Sequence, residues 1–268
     1  MKLFKKEQGS FGEVKEVSAL SDFCCLGKCY GFMRSVLNKR NREGGFTLAE
    51  VLITLGIIGV VAALTLPSLI SNYRERELIT RIKRTYSNIY NAIIMAQKDN
   101  DSIGDNSALF NYDDGYTTVT ENFAKYFSGA KVCKSRTECP NFYYESKFAT
   151  PMYTASGGTR NWYSYHPKII LNDGAIITLE GLYSGCEYDR IDTYYDENGV
   201  PTGIPVKGKA CASIYFDVNG ATLPNRFGQD TFVFSVGKEN IILSSWRQAG
   251  GDTLRDILSG KEKLSPSN

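Results

Sequence analysis

Histidine occurs once in the 268 residues, as His166, so metal sites built on several histidines and catalysis that needs two are excluded. A strong charge bias is also lacking: the formal net charge is +2, which does not suggest a dedicated nucleic-acid binder. Charged residues make up 22%, too many for a polytopic membrane protein, and apolar residues 42%, too many for a disordered chain. The near-neutral total hides an asymmetry. Residues 1–45 hold nine Lys/Arg against five Asp/Glu, a net of +4, which leaves 22 basic and 24 acidic residues, a net of −2, in the remainder. A basic leader precedes a slightly acidic body.

What the chain does have is one long apolar run. Phe46 to Ile70 is 25 residues with a single charge, Glu50. As an α-helix it spans roughly 37 Å, enough for a hydrocarbon core of about 30 Å with some tilt. The run is too long for the apolar region of a cleaved secretory signal, and the residues after it do not resemble a cleavage site. Pro67 is expected to kink the helix rather than end it. From Tyr73 to Lys98 a helical period continues, with Ile79, Ile82, Tyr86, Ile89 or Tyr90, Ile93 and Ala96 at three- to four-residue steps. Arg74, Glu75, Arg76, Glu77, Arg81, Lys83 and Arg84 fill the other positions. The expectation is one helix over residues 46–100, with 46–70 crossing a membrane and the amphipathic remainder packed on a globular domain, 101–268.

Glu50 is the odd residue in that run. A carboxylate at the membrane midplane costs about 2.5–3.5 kcal/mol on insertion scales, less near an end. Either it sits close enough to the interface to hydrate, or it has a cationic partner. Cleavage after Gly45 would supply one, because it frees the α-amine of Phe46 four residues away on the same helix face. That amine could equally pair with Glu50 of a neighbouring chain.

The stretch Lys39-Arg40-Asn41-Arg42-Glu43-Gly44-Gly45-Phe46-Thr47-Leu48-Ala49-Glu50 resembles the prepilin cleavage and methylation motif of type IV pilins and type II secretion pseudopilins. The resemblance covers about Lys39 to Leu69. It implies an α+β pilin-like fold: a long N-terminal helix, transmembrane in its first half, packed on an antiparallel β-sheet. It implies that a prepilin peptidase cuts between Gly45 and Phe46 and methylates the new amine. It implies that Glu50 contacts the Phe46 amine of an adjacent subunit in a filament, pseudopilus or pilus. The partners it implies are identical or related subunits, the peptidase and an inner-membrane assembly platform. The protein would be a single-pass inner-membrane subunit with its leader in the cytoplasm and its C-terminal domain in the periplasm, then part of a filament, and not an enzyme. Two alternatives stay open. One is a monomeric signal-anchored ectodomain, binding protein or enzyme. The other is a DNA-uptake pilin, less natural with an acidic body.

The leader is long for this family. Met33 offers an alternative start that leaves 13 residues with four basic side chains against Glu43, and residues 1–32 would then be an upstream extension of the reading frame. Cys24, Cys25 and Cys29 lie there, in a spacing that fits no zinc site.

In the body, Cys133, Cys139, Cys186 and Cys211 make an even set suited to pairing in an oxidising compartment, and the most local pairing is 133 with 139 and 186 with 211. Hairpins are expected around Asn172-Asp173-Gly174 and Gly237-Lys238-Glu239. Ala212 to Val218 reads as a strand, and Thr120 to Ser128 as a short helix. Residues 181–209 read as a Tyr- and Gly-rich insertion, and Gly260 to Asn268 as a loose tail. His166 sits in an aromatic turn and reads as structural. Asp217, Asn219 and Asp230 admit two readings: turn chemistry, or an oxygen-rich loop for calcium, as the likeness to pseudopilin loops implies. The spacing is not that of an EF-hand.

Overall fold

The computed structural model describes residues 45–156, 158–243 and 251–265. The leader cysteines and Met33 lie outside the described residues. Helix α1 runs unbroken from Leu48 to Asp99, with Pro67 inside it. The chain divides into two compact units between Ala62 and Ala63, considered in turn.

In the first unit the helix is apolar on every side, and none of the described residues covers it. Leu52, Ile53, Leu55, Ile57 and Ile58 are all exposed, and no residue of the helix's most apolar 18-residue window is buried. Removing such a side chain from water is worth roughly 1.5–3 kcal/mol. A membrane interior satisfies the whole surface at once, and a helix satisfies its own backbone there.

In the second unit the rest of α1 buries one stripe: Ile79, Ile82, Ile89, Ala92, Ile93 and Ala96. Below it lie twelve strands among the described residues: β1 (Lys131–Cys133), β2 (Glu145–Ser146), β3 (Met152–Tyr153), β4 (Thr159–Arg160), β5 (Trp162–Tyr163), β6 (Lys168–Ile170), β7 (Ile176–Leu182), β8 (Tyr188–Tyr195), β9 (Pro201–Gly208), β10 (Ala212–Asp217), β11 (Thr231–Val236) and β12 (Ile241–Ile242). Six form an antiparallel sheet in the order β1-β6-β7-β10-β11-β12. The architecture is the α+β arrangement expected, a long apolar-to-amphipathic helix with an antiparallel sheet.

Alternation along β10 shows how one sheet serves two cores. Ile214 and Phe216 join the helix-side core with Ile177, Leu179 and Phe234, and Tyr86 of α1 meets Phe234 edge-on at 5.6 Å. Tyr215 points the other way, into a smaller cluster with Phe148, Phe227 and Trp162. The β6–β7 turn closes by Leu171 N–H to Ala175 O at 2.8 Å, and Gly174 takes φ 86°, where a side chain would be strained.

Three segments differ from the sequence reading. Helix α2 occupies Gly115–Ala124 rather than residues 120–128. Past Ala124 the chain tightens into i→i+3 turns, Tyr126 N–H to Phe123 O and Phe127 N–H to Ala124 O, which bring Phe127 against Phe123 at 5.2 Å. The 181–209 insertion is structured: β8 and β9 pair over eight positions as part of a four-stranded sheet, β4-β3-β8-β9. Pro201, Gly203 and Pro205 hide β9 from propensity arguments, but β9 is an edge strand, where proline is tolerated. The tail is pinned as far as Ser265. Buried Asp252 accepts from Lys261 Nζ at 2.5 Å and from Ser265 N–H and Oγ–H at 2.6 Å each. Leu264 N–H donates to Glu75 of α1. Helix α3, Leu254–Leu258, sits between these contacts and places Ile257 in the main core.

Candidate processing and assembly site

Gly45, Phe46 and Thr47 precede the first helical residue and are exposed, Phe46 by 87%. Nothing lies within 4 Å of the place a Gly45 side chain would take, so this position is sterically open. Thr47 then begins the helix. Its hydroxyl accepts from Glu50 N–H at 3.2 Å, and Glu50 Oε2 accepts from Thr47 N–H at 2.8 Å and Thr47 Oγ1–H at 2.9 Å. This is a reciprocal capping box, which satisfies donors that every helix N-terminus leaves open. The signal for it was in the sequence, a Thr followed three residues later by Glu ahead of an apolar run. Neither interfacial hydration nor pairing with an amine takes account of this nearer set of donors.

The four body cysteines form two disulfides, Cys133–Cys139 and Cys186–Cys211. The first closes a short loop beside β1. The second joins the two ends of the β8–β9 hairpin, because Cys186 precedes β8 and Cys211 comes after β9. Glu138 brings a carboxylate near Cys133 and Cys139, with the three ligand atoms within 4.8 Å of one another, but both sulfurs are taken by their bond.

His166 stacks on Tyr116 with ring centroids 3.8 Å apart. Burial, and then the charge of Lys168, hold its imidazole below the ordinary range. Lys168 is itself buried, donates to Ser164 O at 3.4 Å and lies 5.0 Å from the Tyr143 ring centroid. Burial brings it down to about 8 and pushes neighbouring Glu180 up to about 7. Lys168 and Glu180 thus act on each other electrostatically in a packed region covered by the Tyr143 and Tyr116 rings, consistent with a structural role for His166.

Asp217 and Asp230 stand at the two ends of the β10–β11 connection, fully buried, with Asn219 two residues into the loop. Burial first, and then Asp230, push Asp217 up to about 8; burial likewise raises Asp230.

Taken together, a capped apolar helix and a disulfide-bonded antiparallel body describe a membrane-anchored α+β protein. The family described as the prokaryotic N-terminal methylation motif matches residues 40–66, which include Gly45, Phe46 and Glu50. The chain thus carries a prepilin-type N-terminal motif, consistent with the type IV pilin and pseudopilin family. The motif supports a prepilin-like substrate of prepilin peptidase, a structural subunit and not an enzyme. Motif and apolar helix fit a single-pass, inner-membrane-anchored protein. No curated protein and no solved structure matches the chain.

Proposed function

We propose that the peptidase cuts between Gly45 and Phe46 and that the mature chain assembles, through its N-terminal helix, into a type II secretion pseudopilus or a type IV pilus. The observation that carries this is the placement of the motif's junction. The Gly45–Phe46 bond lies outside any helix, exposed, one residue ahead of a capped apolar segment. A peptidase needs an extended, accessible bond, and an unstructured step before a helix cap provides it. Cleavage leaves the Thr47 N–H and hydroxyl in place, so the cap survives processing and presents Glu50 beside the new Phe46 amine.

In assembly, Glu50 then has a choice of donors. The amine of a neighbouring Phe46 carries a full charge, and a charge-assisted bond in a low-dielectric bundle outweighs a neutral one. The leader faces the cytoplasm and the body the periplasm, where both disulfides form. Identical or related subunits and an inner-membrane assembly platform are the partners of this scheme.

Intact mass and N-terminal sequencing of the membrane-extracted chain, expressed with a prepilin peptidase, test the first step. The expected product begins at N-methylated Phe46, and Gly45→Ala retains the leader. A mature Phe46 terminus in that variant would remove the peptidase reading. Glu50→Ala should still insert and be cleaved yet be depleted from sheared filaments; wild-type filament yield would refute the pairing.

A further inference from the structure

A cleft of about 260 Å³ runs beside the amphipathic half of α1. One wall is a row on the helix, Arg84, Asn88, Asn91 and Met95, at three- and four-residue steps that set them on one face. The segment after α2 and the β6–β7 turn make the other wall, and buried Phe127 and Leu171 add apolar surface. The side chains of Arg84, Asn88 and Asn91 have no hydrogen-bond or ion-pair partner among the described residues. The turn wall is occupied with itself: Asn172 Nδ2 donates to Ser128 O at 2.9 Å, and Asp173 Oδ1 accepts from Ala175 N–H at 3.2 Å. The cleft therefore offers an unpaired guanidinium, two unpaired amides and an apolar strip.

The tip of the β8–β9 hairpin has the matching character. Its turn is closed by its own bonds: Asn198 N–H and Val200 N–H both donate to Asp196 Oδ1 at 2.9 Å, and Gly199 N–H donates to Asp196 O at 3.0 Å. Those bonds use Asp196 and leave Glu197 exposed, without a partner among the described residues. Val200 beside it is 54% exposed. One carboxylate and one aliphatic side chain thus stand together on a turn that already holds its shape, so docking it orders little. In the folded chain this tip is held away from its own cleft. Tyr195, at the base of the turn, pairs with Tyr153 of β3. The adjoining Met152 packs on the Phe148, Tyr215 and Phe227 cluster, on the sheet face turned away from α1.

We propose that the Glu197–Val200 turn of one copy docks in the α1 cleft of another, with Glu197 against Arg84, Val200 on the apolar strip, and Asn88 and Asn91 facing the turn. Assembly of the chain, as proposed above, is what brings the copies together. A knob on one face and a cleft on the other make a heterologous contact, which repeats without closing and suits a filament rather than a two-fold dimer. The contact is small. Helix packing already holds neighbours at a high effective concentration, so one charge pair and one aliphatic anchor serve to set the register of adjacent bodies.

The test is cysteine cross-linking of the full chain in cells that carry the assembly machinery, with the leader cysteines replaced by serine. Asn91→Cys/Asn198→Cys keeps Arg84, Glu197 and Val200, and the native disulfides do not react with a maleimide. A short bismaleimide applied to sheared filaments should give a ladder of dimers, trimers and higher rungs. Either single variant alone should give no rung, and the two singles mixed should stop at dimers. In the double-cysteine background Arg84→Glu or Glu197→Arg should cut the cross-linked fraction by about tenfold, as an attractive pair becomes a repulsive one, and the two reversals together should restore it. That restoration also shows that the single reversals fold. Filaments that form without rungs, or rungs that survive each single reversal, would overturn the contact and leave assembly standing. So would cross-linking of Asn91→Cys to Ile103→Cys, another exposed aliphatic position, in place of Asn198→Cys. No filaments from the unmodified chain would remove the assembly reading and this contact with it.

Discussion

Breaking the Cys186–Cys211 bond should cost more than breaking Cys133–Cys139, and the sequence separations say by how much. In the chain-entropy account a cross-link restricts the unfolded chain in proportion to the logarithm of the loop it closes. Separations of 25 and 6 residues give about 3.5 and about 2.2 kcal/mol respectively. The structure adds a local reason in the same direction. Cys211 is wholly buried and Cys186 nearly so, and together they tie both ends of the β8–β9 hairpin to the main core. Cys133→Ala/Cys139→Ala releases only a small loop beside β1. The assay is urea unfolding of each double alanine variant of the mature chain under non-oxidising handling, with trypsin cleavage in residues 188–208 as a local readout. Cys186→Ala/Cys211→Ala should show the larger drop and a faster cleavage there. The reasoning fails if the 133–139 variant loses as much or more, or if the hairpin resists trypsin equally in both.

Burial leads to two further outcomes. Ile89→Ala, at a wholly buried position of α1, should cost about 2–5 kcal/mol in urea unfolding of the body, whereas Leu55→Ala, 60% exposed in the apolar half, should leave that transition unmoved. His166 is held below its usual range, so its contribution is present above pH about 6.5 and lost as pH falls below that value; His166→Phe keeps the stack on Tyr116 and should flatten that acid-side slope in thermal melts.

Much of this architecture was legible because two periodicities are strong in the sequence. An apolar run with one charge leaves little choice but a helix in an apolar medium. The Asn172-Asp173-Gly174 turn and the alternation of Ile214, Phe216 and Val218 mark strands with one buried face. What was illegible depends on distant contacts. Pro201, Gly203 and Pro205 argue against a strand, and only the pairing of β9 along β8 at a sheet edge overrules them. The tail looked loose because Lys261, Leu264 and Ser265 carry no pattern; Asp252 and Glu75 hold them from 9 to 189 residues away. The acids of the β10–β11 loop were visible as acids. Their link through the Thr231 hydroxyl, 3.1 Å from Asp217 Oδ2 and 3.2 Å from Asp230 Oδ1, depends on the register that sets Thr231 at the start of β11, opposite Asp217.

The capping box changes the account of the one carboxylate in the apolar run. Read as a bare charge, Glu50 needs hydration at the interface or a cationic partner before it can enter a membrane. Bonded to Thr47 at the first turn, it sits where the helix dipole favours a negative group and where the unpaired N–H groups need an acceptor. The motif thus supplies its own acceptable monomer. Leu48 and the rest of the apolar run can be inserted and stored in a bilayer with Glu50 satisfied from within. In the assembly we propose, Glu50 exchanges donors, from a neutral backbone N–H and hydroxyl to a charged amine on a neighbour. In that scheme, a side chain that is tolerable alone and better bonded in company favours filament growth without making the single subunit unstable.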